Sequence, residues 1–123
     1  MELVNPKAEE YAKQHTTELD IVLQETEDHT LADHPHAQML SGHVQGKVLE
    51  MISNMIRPER ILEIGTFTGF SALCLAKGLL PGGKLHTIEL RVEDAATARD
   101  YFKKAGAAGK IEQHVGDALK IIP

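Results

Sequence analysis

Residues 60–71, Arg-Ile-Leu-Glu-Ile-Gly-Thr-Phe-Thr-Gly-Phe-Ser, limit the fold more than any other stretch of this chain. A largely apolar run, Ile61 to Ile64, leads into Gly65. Gly69 follows four positions on, and a helical pattern begins at once. That order reads as a buried strand, a tight glycine turn and a helix N-terminus, the arrangement by which an α/β sheet presents a nucleotide-like ligand to backbone amides. The alternation then repeats. Strands are expected at Arg60–Ile64, Lys84–Leu90 and Lys110–Val115, and helices at Phe70–Leu80 and Glu93–Ala105. Pro81-Gly82-Gly83 and the stretch from Gly106 to Gly109 break the chain after each helix. A βαβαβ run of this kind specifies a parallel sheet with right-handed crossovers.

The turn also narrows the ligand. The dinucleotide fingerprint G-x-G-x-x-G requires a second glycine where this chain has Phe67, and backbone cannot come close to a pyrophosphate past a phenylalanine. Glu89 stands twenty-four positions beyond Gly65, at the end of the next apolar run. An acid there can accept hydrogen bonds from both hydroxyls of a ribose. An adenosine ligand without phosphates, such as S-adenosylmethionine, fits this pattern better than a dinucleotide.

Ahead of the sheet, Asn5 is expected to cap a first helix, with Pro6 at its first position, running to about His15. A second helix is expected from Thr16 or Thr17, with Leu19, Val22 and Leu23 on one face. Residues 28–41 read as a loop, because they contain Asp28, Asp33, Pro35 and Ser41. Ser41 then caps a third helix whose apolar residues Val44, Val48, Leu49, Ile52, Met55 and Ile56 recur at helical spacing, and Pro58 stops it.

At 123 residues the chain makes one domain with a modest core. Its net charge of −5 and the lack of a basic stripe disfavour nucleic-acid binding. Its apolar runs are too short to span a membrane, and Met1 opens no signal pattern. The single cysteine, Cys74, excludes an internal disulfide and suits a reducing, cytoplasmic setting. It reads as a small core residue rather than a reactive thiol.

Three segments carry a family resemblance. Residues 61–71, His86-Thr-Ile-Glu89 and Val115-Gly-Asp-Ala118 resemble the consecutive cofactor motifs of the class I methyltransferases, and more narrowly those of the cation-dependent O-methyltransferases that act on catechols and caffeoyl-CoA. Met39-Leu-Ser-Gly-His-Val-Gln-Gly-Lys47 is similar to that family's entry into the helix before the first strand, so the match covers nearly everything from Met39 onward. The resemblance implies a Rossmann-like methyltransferase fold, present in part. Residues 1–42 would be N-terminal helices and loop, and residues 43–123 the first half of the S-adenosylmethionine-binding domain. The first strand would be central, with the second and third to one side. The family continues for roughly another 80–100 residues, as for a domain of ordinary size. That half would add four strands and the aspartates and asparagine that hold a magnesium or calcium ion. None of those ligands can be placed on this chain, so it is expected to be inactive alone.

The same resemblance implies roles for single residues. Glu63 would face the ammonium of the ligand's methionine, because strand alternation turns it away from Leu62 and Ile64; the plain alternative is a solvated strand-end acid. Gly65 would let backbone approach the ligand, and Gly69 would open the following helix. Thr68 or Ser71 can cap that helix, and Ser71 matches a cofactor contact. Glu89 would bind the ribose and Leu90 would pack against the adenine. Asp117 would accept from the adenine amino group, with Ala118 beside it, or would simply cap the helix beginning at Ala118. Met39 and Ser41 match positions that line the pocket from outside.

His29, His34, His36 and His43 lie close together in sequence, but a zinc site needs three or four converging ligands, and no cysteine or tight i, i+4 pair supports one. His86 and His114 read as packed or surface residues within strands. Two further functions compete with cofactor binding: a self-associating, non-catalytic α/β module, and half of a nicotinamide-dependent oxidoreductase, against which Phe67 argues. The acceptor would be a small-molecule hydroxyl or a catechol-like compound. Without a fourth strand, Arg60–Ile64 would be an open edge, and the chain is expected to form a homodimer or larger assembly through it.

Overall fold

The computed structural model describes residues 3–123. Its elements run α1 (Pro6–Gln14), α2 (Ile21–Asp33), a 3-10 turn (Ala37–Met39), α3 (Gly42–Ile56), β1 (Arg60–Ile64), α4 (Phe70–Ala76), β2 (Lys84–Glu89), α5 (Val92–Lys104), β3 (Ile111–Val115) and α6 (Ala118–Ile121). The three strands are parallel in the order β1-β2-β3, with Arg60 opposite Lys84 and Leu85 opposite Ile111. The β1–β2 and β2–β3 connections pass through α4 and α5, which pack on the sheet face that buries Leu85 and Ile111. β2 and β3 both lie to one side of β1, as the resemblance implied, and among the described residues β1 is an edge strand rather than a central one.

Local chemistry explains the helix starts. Asn5 accepts the N–H of Lys7 at 2.9 Å, and Pro6 occupies the first turn of α1, where a missing N–H costs nothing. Asp20 caps α2 by accepting the N–H of Leu23 at 2.9 Å. Its other oxygen takes the Lys77 ammonium at 2.7 Å, tying the start of α2 to the end of α4.

Two N-terminal expectations fail. The second helix starts at Ile21 rather than at Thr16 or Thr17, because Asp20 supplies the cap. It then continues through residues 28–33, which the sequence suggested were loop. The reason is a buried stripe that is mostly polar: Leu23, Thr26, Glu27 and Thr30, spaced i, i+3, i+4, i+7. Hydrophobic periodicity cannot detect a face made of threonines. The Thr26 hydroxyl donates to the Val22 carbonyl, so burial leaves it satisfied. That of Thr30 lies 2.6 Å from the Thr26 carbonyl and 2.9 Å from the Thr68 hydroxyl.

α3 packs through small residues rather than through its apolar stripe. A β-carbon on Gly46 would lie 2.6 Å from the Phe70 ring and 2.9 Å from Cys74 Sγ, and one on Gly78 would lie 2.2 Å from Ser53. The Ser53 hydroxyl donates to the Leu75 carbonyl at 2.5 Å. The expected apolar face is thereby left largely outward, with Val48, Ile52, Met55 and Ile56 exposed. Ser41 holds the N-cap position of α3 but makes no side-chain cap bond. Arg57 ends α3 in the left-handed conformation, one residue before Pro58.

Other boundaries shift as well, α5 running Val92–Lys104 rather than Glu93–Ala105. α4 closes at Ala76 rather than at Leu80. Leu90 and Lys110 fall just outside β2 and β3. Neither Thr68 nor Ser71 caps α4, whose N-cap is Gly69. Cys74 is fully buried beneath α3, and burial pushes its thiol up to about 12, as expected of an inert core residue.

Candidate functional site

Two adjacent parallel strands, β1 and β2, end beside the glycine turn, and each delivers an acid to it. Gly65 leaves β1 with φ 93°, and its N–H donates to the Ile88 carbonyl at 2.8 Å. Nothing lies within 4 Å of where a Gly65 β-carbon would stand, so the backbone there borders open space. Gly69 is constrained from the other side. With φ 94° it also packs so close to α5 that a β-carbon would lie 2.8 Å from the Phe102 ring.

Phe67 holds a conformation that L-residues other than glycine rarely adopt, with φ 53°. Glu89 stabilises it: Oε2 accepts the Phe67 N–H at 2.7 Å, while Oε1 accepts the Arg91 N–H at 3.1 Å. Glu89 is only 8% exposed. Each of its oxygens keeps a second lone pair for a donor from outside. The Phe67 side chain is also buried, meeting the His34 ring edge-on at 4.5 Å.

Glu63 turns away from Leu62 and Ile64 toward α4, as alternation required. Its Oε2 accepts the Ser71 hydroxyl at 2.7 Å and its Oε1 the Thr87 hydroxyl at 2.8 Å. Thr87, having given its proton to Glu63, accepts from the Thr66 hydroxyl at 2.6 Å. Burial pushes the Glu63 carboxyl above its ordinary range, the two hydroxyls pull it back, and the Glu89 charge pushes it up again; the outcome is a raised pKa. A desolvated carboxylate of this kind is stabilised by an incoming cation.

Met39, Ser41, Gly65, Thr66, Phe67 and Ser71 all line a small cavity of about 60 Å³ against the turn. The N-terminal segment thus reaches the same place as the glycine turn. Asp117 caps α6 by accepting the Leu119 N–H at 2.9 Å, with Ala118 at the first position. Leu90 is 70% exposed just beyond β2.

Sequence reasoning missed Thr66 and Thr87, which complete the hydroxyl chain to Glu63. The available signal was alternation, since Thr87 shares the inward face of β2 with Leu85. It also missed the His34–Asp94 pair. The His36 N–H donates to His34 Nδ1 at 2.9 Å, so His34 Nε2 carries a proton and donates to Asp94 Oδ1 at 2.6 Å. Nothing in the sequence linked residues sixty positions apart. Both belong to the wall of a larger cavity, about 360 Å³, which His29, His36, Arg91 and Thr97 also line. The remaining histidines of this region part company: His29 faces Asp33 at 3.6 Å, and His43 meets the Thr17 carbonyl.

Residues 13–123 match the family model described as O-methyltransferase. The chain belongs to that O-methyltransferase family. Among curated O-methyltransferases, the catechol O-methyltransferase of Mycobacterium tuberculosis is 42% identical over 79 residues, covering 64% of this chain and 36% of the relative. Caffeoyl-CoA O-methyltransferase 2 of Petunia hybrida is 34% identical over 91 residues, covering 74% of this chain and 38% of the relative. The crystal structure of the O-methyltransferase TomG from Streptomyces achromogenes, in complex with SAM, superposes with a TM-score of 0.84 at 36% identity. That match covers 95% of this chain and 52% of TomG, and it identifies the fold as the Rossmann-like fold of O-methyltransferases, present here as helices and a three-stranded parallel sheet. The chain thus spans little more than a third of those curated relatives and about half of the solved one.

Proposed function

We propose that this chain supplies the S-adenosylmethionine-binding half of an O-methyltransferase that acts on a small-molecule hydroxyl, catechol-like in type. The observation that carries this reading is the pair of acids, Glu63 and Glu89, held on either side of a turn whose Gly65 backbone borders open space. When bound, the cofactor supplies an electrophilic methyl group. The protein's part is binding and orientation. Glu63 takes the ligand ammonium, Ser71 lies within reach of its methionine end, and Glu89 takes the ribose hydroxyls while bracing the turn. Leu90, Asp117 and Ala118 receive the adenine at the strand ends, and Gly69 brings the turn down against α5. Phe67, standing where the dinucleotide fingerprint has its second glycine, supports an adenosine ligand over a dinucleotide.

A divalent cation assists relatives of the cation-dependent type by lowering the acceptor hydroxyl's pKa. Among the described residues, the one group of three or more converging metal-binding side chains is His86, Glu112 and His114. Its two imidazoles do not suit magnesium or calcium, which take oxygen ligands. The isolated chain is expected to show no magnesium-dependent methyl transfer to catechols or caffeoyl esters.

A cytoplasmic setting and a homodimer belong to the same reading. No helix among the described residues is long and apolar enough to cross a membrane. Among the described residues β1 is an edge strand that pairs only with β2, and its Leu62 and Ile64 are 58% and 64% exposed. Antiparallel pairing of β1 with β1 in a second copy would satisfy that edge and make one six-stranded sheet. Calorimetric titration tests the cofactor reading. S-adenosylhomocysteine is expected to bind weakly and NAD not at all; binding of NAD in preference would overturn it.

A further inference from the structure

Two imidazoles and a carboxylate meet on the sheet, away from the glycine turn. His86 on β2 and Glu112 on β3 are direct cross-strand partners. His114 stands two residues beyond Glu112, and strand alternation puts it on the same face. Thr87 and Glu63 point to the opposite face, so this cluster is independent of the proposed cofactor site. His86 Nδ1 lies 3.1 Å from His114 Nε2 and 3.6 Å from Glu112 Oε2. The three ligand atoms all lie within 4.8 Å of one another. The two rings are nearly parallel, 15° apart, with centroids separated by 5.4 Å.

We propose that His86, His114 and Glu112 form a binding site for a divalent transition metal of the zinc class. The spacing is already close to what such an ion demands. Two imidazole nitrogens on a tetrahedral zinc, each about 2.0–2.1 Å from the metal, stand roughly 3.3 Å apart. The histidine pair needs to open by only a few tenths of an ångström to reach that separation. Glu112 is exposed and can swing its carboxylate to complete the set. Two nitrogens and one oxygen select zinc, cobalt, nickel or copper over magnesium and calcium. Three protein ligands leave a fourth position, which water would fill.

The backbone contributes precision. All three side chains start from two strands paired in fixed register, so little ordering remains when the ion arrives. Without metal, one ring must place a proton between the two nitrogens for them to sit 3.1 Å apart. The metal takes the place of that proton, which a neutral ring can carry on its other nitrogen instead. The chain's net charge of −5 favours a cation.

The test is titration of the whole chain with zinc chloride and, separately, cobalt chloride in a weakly coordinating buffer at neutral pH. One zinc per chain is expected, and cobalt is expected to show the visible bands of a tetrahedral site. His86→Ala and His114→Ala should each abolish the bands and weaken zinc by more than about a hundredfold, beyond what loss of an outer partner costs. Glu112→Gln should weaken it less, and His36→Ala, in the N-terminal segment, should change nothing. If the alanine variants do not fold, His86→Gln and His114→Asn take their place. Imidazole NMR of the unmodified chain supplies a second reading, in which zinc should shift His86 and His114 alone. No binding, no tetrahedral bands, binding that survives loss of both histidines, or shifts confined to His29, His34, His36 or His43 would overturn the proposal.

Discussion

Glu89 Oε2 accepts the N–H of Phe67 at 2.7 Å, so the residue assigned to the ribose also holds the glycine turn in shape. Phe67 keeps its left-handed backbone, φ 53°, at a cost of order 1–2 kcal/mol, and the carboxylate offsets it. The turn and the proposed ligand contact thus depend on one side chain. Glu89→Ala is expected to weaken S-adenosylhomocysteine by about 1.5–3 kcal/mol for the lost charge-assisted contact. Calorimetry on Glu89→Ala and Glu89→Gln checks this; titration of the alanine variant identical to that of the parent chain would remove Glu89 from the site.

Glu63 should make binding depend on pH. Its folded pKa is raised, first by burial. As pH rises from the ordinary 4.5 toward the higher folded value, the unfolded chain ionises while the folded one keeps its proton. Stability therefore falls across that window. An ammonium-bearing ligand prefers the ionised form, so its affinity should rise over the same window. Glu63→Gln should flatten both trends, read by thermal melts and by S-adenosylhomocysteine titration at several pH values. A variant with the same slopes as the parent would assign the pH dependence elsewhere.

The Asp20 cap carries a stability prediction. Partial burial raises its pKa, but the bonds from Lys77 and from the Leu23 N–H outweigh that, and the net direction is downward. Its contribution is therefore present above the ordinary 3.8 and is lost as pH falls through the lower folded value. Asp20→Ala should cost about 1 kcal/mol at neutral pH, mostly through loss of the cap, since the exposed Lys77 pair adds little. Denaturant melts measure it, and Asp20→Asn, which still caps, should recover most of the loss.

The open edge of β1 predicts self-association. Light scattering at micromolar concentration should give a dimer or larger species, and Ile64→Lys should shift it toward monomer by placing a charge on the exposed face of the edge strand. A monodisperse parent monomer that unfolds cooperatively would end this proposal.

The sequence by itself determined the sheet and which acids stand at its strand ends. Strand alternation settled that Glu63 faces away from Leu62 and Ile64, and glycine spacing settled where β1 turns into α4, because both depend only on neighbours along the chain. Local capping made Asn5 and Pro6 legible for the same reason. What only the tertiary structure decided are relations between distant segments. α2 buries Thr26 and Thr30, whose polarity hides them from any hydrophobic period. α3 turns Gly46 and Ser53 inward, because close helix approach, not hydrophobicity, sets that contact. Register placed His86 beside His114 and Glu112, and folding brought His34 to Asp94 across sixty residues. A pattern read along one element cannot contain such pairings, since each depends on which surfaces meet when the elements pack.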